Sequence, residues 1–356
     1  MQNRKLYHLL GLLTEADQDR FTDFLASPYH NGSRMLVIFW DRWRAMVIEG
    51  GNGGEVTPEA LIEGTKMKRS RFDKLCSQCY QKAREFLALR RYEMRSELED
   101  QLFVGAVLER DPGLQAAHRF VPQEIQAVDK MPNAPEKNLG QFVLRSELTE
   151  AQIRARKTEK EWTKVFLEML HALDNYSEAK KLQLLCGAVN VGQIFRGNVD
   201  EALAPAINNA LDSPLSEEAD ALLHIYQSTL ALLVGKAPDT AFTELLQRLE
   251  THRGDMASGV VRDLHGYLLN HCIRQINRGN DIFLQHTHAL YVHLLDNGDL
   301  LHEGRLSPQQ FKNIVALSCR IGRLDWAEHF IQQYLPLLAD DHGGIAQTYN
   351  AAVLRF

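Results

Sequence analysis

The chain has 356 residues, enough to bury two or three compact units or one extended array. Hydrophobic residues make up 45% and charged residues 24%, which excludes a disordered or fibrous polypeptide. A formal charge of -6 gives no global electrostatic reason to expect nucleic acid and leaves only local basic patches to consider. Met1 to Leu13 carries Arg4 and Lys5 ahead of a short apolar stretch, without the long apolar region or small-residue cleavage site of a signal peptide. No apolar run approaches the roughly 20 residues of a membrane span. A cytoplasmic protein with no membrane span is the expectation. The cysteines are odd in number and sit mostly in helical apolar pattern, so they read as reduced core residues rather than a disulfide framework.

In chain order, Thr14 reads as a helix N-cap, with Asp17 three residues on, ahead of Phe21, Phe24 and Leu25. Ser27 to Gly32 ends that helix, because Pro28 restricts its predecessor and Asn31-Gly32 favours a turn. A Trp-rich helix is predicted from about Arg34 to Ile48, with Phe39, Trp40, Trp43 and Val47 on one face. Gly50 to Gly54 reads as a loop and Thr57-Pro58 as a helix start. Ser70 to about Arg110 contains no proline or obvious stop and predicts one long helix, or two joined with little break. Its stripe runs through Phe72, Leu75, Cys76, Cys79, Tyr80, Phe86 and Leu87. Asp111-Pro112 restarts a helix that reaches about Lys130. Met131 to Pro135, with two prolines, is the clearest punctuation in the chain. It sets a boundary between an N-terminal helical subdomain, 1–130, and a second domain, 136–356.

Glu136 to Asn175 is highly charged and sparse in apolar positions until Trp162, Phe166, Leu167 and Leu170, as a long helix bridging the two halves would be. Successive helices are then predicted over Ser177–Gln193, Val199–Leu211, Glu217–Val234, Pro238–Thr251, Ala257–Arg278, Ile282–Leu295, Pro308–Ile321 and Leu324–Leu338, with another from Ile345 onward. Gly197, Gly235, Gly254, Gly279, Gly298 and Gly322 punctuate them. Short connections make sequential helices antiparallel neighbours. No segment alternates with period two, so the expectation is an all-α protein with essentially no sheet.

The last units fit a 34-residue period: Phe311, Ile314, Val315 and Ser318 map onto Ile345, Thr348, Tyr349 and Ala352. Gly322 falls at a turn and Ala327 at a close helix crossing. This resembles the tetratricopeptide (TPR) class, with Phe311 and Ile314-Val315 at the positions typical of Trp and Leu-Gly. Asn175 to Ala179 is similar to the inter-helix turn of such a repeat. A degenerate TPR-like α-α superhelix, or solenoid, follows as the expected architecture of 136–356. Phe24 to Asn31, Leu268 to Gly279, Phe311 to Val315 and Asp325 to Ile331 resemble a group of uncharacterised helical-repeat proteins from Bacteroidetes. That resemblance implies the fold and no function. Its members continue past a point like Phe356, which implies a chain stopping inside a repeat.

No glycine-rich phosphate loop, Gly-x-Ser-x-Gly elbow or His-Glu-x-x-His helix is present, so no catalytic residue, metal or cofactor is assigned. Cys76 and Cys79 lack a second pair of ligands and read as core packing. His265, His271, His286, His288, His293 and His302 are dense, but His286 and His288 diverge on a helix, and surface or interface histidines are the expectation. Polar residues projecting from successive helices of a solenoid meet on one face, where they can clamp a protein or peptide partner. Asn270, Arg274 and Asn277 follow one helical face; Lys312, Asn313, Arg320, Asp325 and Glu328 are the further candidates. The leading reading is therefore a non-catalytic scaffold for protein or peptide binding. A nucleic-acid interface on the basic segment 66–95, led by Lys66, Lys68, Arg69, Arg71 and Lys74, is one alternative. An enzyme with a noncontiguous site is another.

Overall fold

A computed structural model describes residues 2–49, 68–93, 96–111, 113–115, 117–156, 162–195, 199–215, 220–238, 240–302 and 304–338. Among these the chain is all-α, with fifteen α-helices and a single two-stranded ladder. The loop and helix start predicted over 50–60, Lys66, and the stripe predicted from Ile345 onward lie outside the described residues. Two compact units divide between Val107 and Leu108.

The first unit contains α1 (Gln2–Gly11), α2 (Glu15–Ala26), α3 (Arg34–Glu49), α4 (Arg69–Glu93) and most of α5 (Ser96–Arg110). Thr14 caps α2 as its spacing predicted, its hydroxyl accepting from the Asp17 N–H at 3.2 Å. Asn31 makes the turn before α3 by accepting from the Ser33 N–H at 2.9 Å, while its Nδ2 donates to the Leu25 carbonyl at 2.8 Å. Trp40 is fully buried. Its indole N–H donates to Thr22 Oγ1 at 2.8 Å, and Phe21 meets its ring edge-on at 4.9 Å. Cys76 and Cys79 complete this core on α4, and burial, with the neighbouring Cys76, pushes the Cys79 thiol up to about 12.

The second unit begins with the end of α5, followed by α6 (Ala117–Asp129), α7 (Pro135–Arg154), α8 (Trp162–Phe195), α9 (Val199–Asp212), α10 (Ala221–Leu233), α11 (Ala241–His252), α12 (Ser258–Asn277), α13 (Ile282–Asp296), α14 (Pro308–Arg320) and α15 (Leu324–Tyr334). Where both the prediction and the observed helix can be compared from α9 onward, the ends agree within a few residues. Alternate helices also touch: α10 packs on both α8 and α12. One continuous core runs from Ala179 on α8 to Leu338. The helix ends share one device. Gly235, Gly279, Gly298 and Gly322 follow α10, α12, α13 and α14 with φ of 74°, 88°, 73° and 74°, a backbone state that an L side chain resists. After each, the next N–H reaches back to close the last turn, as Arg323 does to the Ser318 carbonyl at 2.9 Å.

Several expectations need correction. Asn175 to Ala179 makes no inter-helix turn: α8 passes straight through it, because Ala172, Ala179, Leu182, Cys186 and Val189 keep one helical stripe buried and no glycine or proline interrupts it. Residues 131–135 lie within the second unit rather than between units. Asn133 is bound to the residues after α11, donating to the Asp255 carbonyl at 2.6 Å and accepting from the Ala257 N–H at 3.0 Å. The expectation of essentially no sheet holds among the described residues, whose one small ladder pairs β1 (Leu301–His302) with β2 (Arg305–Leu306) antiparallel across Gly304 at φ 77°. No described helix is long and apolar enough to cross a membrane.

Candidate functional site: a histidine–carboxylate cluster and a cationic cavity

α12 buries Val261, Leu264, His265, Leu268 and Cys272 on one stripe, so the periodicity that forms the helix also carries a histidine into the core. A buried imidazole needs a hydrogen-bond partner. Glu250 in the last turn of α11 supplies it: His265 Nε2 donates to Oε1 at 2.7 Å, while His293, near the end of α13, places Nε2 2.8 Å from Oε2. One carboxylate thus bridges two imidazoles from two other helices. Arg253 lies 3.7 Å from the same Oε2 and directs its other terminal nitrogen to Asp299 Oδ2 at 2.6 Å.

Burial pushes the His265 pKa down, outweighing the hydrogen bond to Glu250 and the charges of Glu250 and Asp299 that push it up. Its ring is therefore neutral, with the proton on Nε2 and the Nδ1 lone pair buried without a hydrogen-bond partner. Candidate ligand atoms of Glu250, His265 and His293 all lie within 4.8 Å of one another, the one such trio among the described residues. Beside it is a cavity of about 240 Å³ lined in part by Arg262, His265, Asp299, Arg305 and Gln310.

A second cavity, of about 310 Å³, lies among α8, α9, α12 and the turn after α10. Its polar lining includes Gln193, Asn208, Lys236, His271, Arg274 and Arg278, and no Asp or Glu lines it. Lys236 Nζ donates to Asn208 Oδ1 at 2.7 Å, and Gln193 Nε2 to the Leu233 carbonyl at 2.8 Å. Burial lowers the His271 pKa to about 4, with the positive charges of Arg274 and Arg278 adding to the effect.

Of the partner-binding candidates, Arg274 lines this cavity. Asn270 instead ties α12 to α8, donating to Asn190 Oδ1 at 3.0 Å, and Asn277 is exposed on the same helix. Lys312 and Asn313 are half-buried on α14, where Asn313 accepts from Gln309 at 2.9 Å. Arg320 pairs with Asp281 at 3.0 Å, while Asp325 and Glu328 are exposed on α15. Lys68, Arg71 and Lys74 are exposed where α4 begins, and Arg69 belongs to its first turn.

The histidine expectation is corrected in part: His265, His271 and His288 are buried rather than superficial, because each falls on the apolar stripe of its helix. Glu250 had no local signature, since it lies fifteen residues before His265. A histidine inside a core stripe was the available signal. Comparison with protein-family models, curated proteins and solved structures gives no match in any of the three.

Proposed function

We propose that this chain is a non-catalytic helical scaffold, with a degenerate TPR-like array in its second unit, and that it binds a protein partner through an anionic group of that partner. The observation that carries the reading is the cavity lined by Lys236, Arg274 and Arg278 with no acidic side chain in its lining. A carboxylate or phosphate there gains charge-assisted hydrogen bonds in partly water-excluded surroundings. Support for the array comes from the short, glycine-closed connections and the contacts between alternate helices α8, α10 and α12. The continuous course of α8 removes residues 162–195 from any repeat of two equal helices.

The test is affinity capture from the native cell with the wild-type chain and a Lys236→Glu/Arg278→Glu double variant, read by quantitative mass spectrometry. At least a tenfold loss of the partners enriched by wild type is expected. Equal recovery by the folded variant overturns the reading.

A further inference from the structure

We propose that Glu250, His265 and His293 form a binding site for a divalent transition metal of the zinc class, with three protein ligands and one coordination position left for solvent or an exogenous ligand. This goes beyond the partner-binding reading and rests on different residues.

Two imidazole nitrogens and a carboxylate oxygen make a borderline-soft ligand set suited to zinc, whereas calcium and magnesium favour oxygen. The groups already converge from three helices, at 2.7 and 2.8 Å across the two hydrogen bonds. An ion about 2.0–2.1 Å from each ligand needs ligand atoms roughly 3.3 Å apart, and one atom from each of the three residues already lies within 4.8 Å of the others. The cluster holds two carboxylates, Glu250 and Asp299, with Arg253 placed between them at 3.7 and 2.6 Å.

The site also has an approach route. The His265 side chain is 2% exposed and forms its inner wall, whereas those of Glu250 and His293 are 27% and 39% exposed. Arg253 pairs with Asp299 at 2.6 Å and lies 3.7 Å from Glu250 Oε2, next to the ligand set as outer-shell partners are at metal centres. Coordination through Nε2 shifts each ring proton to Nδ1.

The test is a cobalt(II) titration of the full chain at neutral pH, followed by its visible absorption and by competition with zinc. Saturation at one equivalent is expected, with displacement by zinc. Glu250→Gln should weaken binding at least tenfold, while His329→Ala, on an exposed residue of α15, should leave it unchanged. A separate variant, His293→Cys, should keep the metal and add a thiolate-to-cobalt charge-transfer band, which a purely structural hydrogen bond does not produce. Circular dichroism checks folding of each variant. Absence of saturable binding by wild type, binding by folded Glu250→Gln equal to wild type, or a folded cysteine variant that binds cobalt without the new band each overturns the proposal. Because Lys236 and Arg278 are untouched, failure here leaves the partner-binding reading standing.

Discussion

His271 shows how one buried side chain couples the core to pH. It packs beside Phe242 and Phe283, with ring centroids 6.3 and 5.6 Å away, while Lys236, Arg274 and Arg278 line the same cavity. Its folded-state pKa lies at about 4 against an ordinary 6.5, so the unfolded chain takes up this proton first as pH falls. Stability from a neutral His271 is fully present above 6.5 and is lost progressively as pH falls from 6.5 to about 4. The loss is on the order of 3 kcal/mol if the whole shift is realised. His271→Leu should therefore flatten the acid side of the stability curve, measured by urea denaturation from neutral pH down to pH 4. An unchanged slope would assign that sensitivity to other groups.

At the scale of elements, identical substitutions should have opposite signs. Gly322 closes α14 at φ 74°, where an L side chain is strained, so Gly322→Ala should destabilise the chain by about 1–2 kcal/mol. Gly105 lies inside α5 with open space around its Cβ position, and Gly105→Ala should stabilise by about 0.5–1 kcal/mol. Denaturant midpoints of the two variants check the pair. Ser177→Pro provides a separate test of α8. Inside a continuous helix it removes a backbone donor and clashes with the preceding turn, at a cost of about 3 kcal/mol or more. A tolerated proline would restore the turn reading of Asn175 to Ala179.

At the scale of the molecule, each unit organises a different kind of core. The first gathers aromatic side chains, with Trp40 and Trp43 stacked 5.1 Å apart and Phe21 meeting Phe86 at 5.2 Å. The second runs one aliphatic core through eight successive helices and seats its buried histidines within it. Two of its polar sites differ in character. The cationic cavity draws on α8, α9, α12 and the turn after α10, whereas the histidine–carboxylate cluster draws on α11, α12 and α13. α12 alone contributes to both, through Arg274 and Arg278 to the first and His265 to the second.

The sequence by itself determined the all-α class, most helix ends beyond residue 199 and the glycine turns. Those features depend on interactions within a few residues: apolar stripes of helical period, and backbone conformations that glycine adopts with least strain. Tertiary structure decided whether α8 would break at Asn175, where the second unit begins, and that Asn133 would join the residues after α11. It also decided that Glu250 would meet His265 and His293, and that Lys236 would share a cavity with Arg274 and Arg278. These outcomes depend on packing between segments far apart in the chain, for which local spacing supplies no rule.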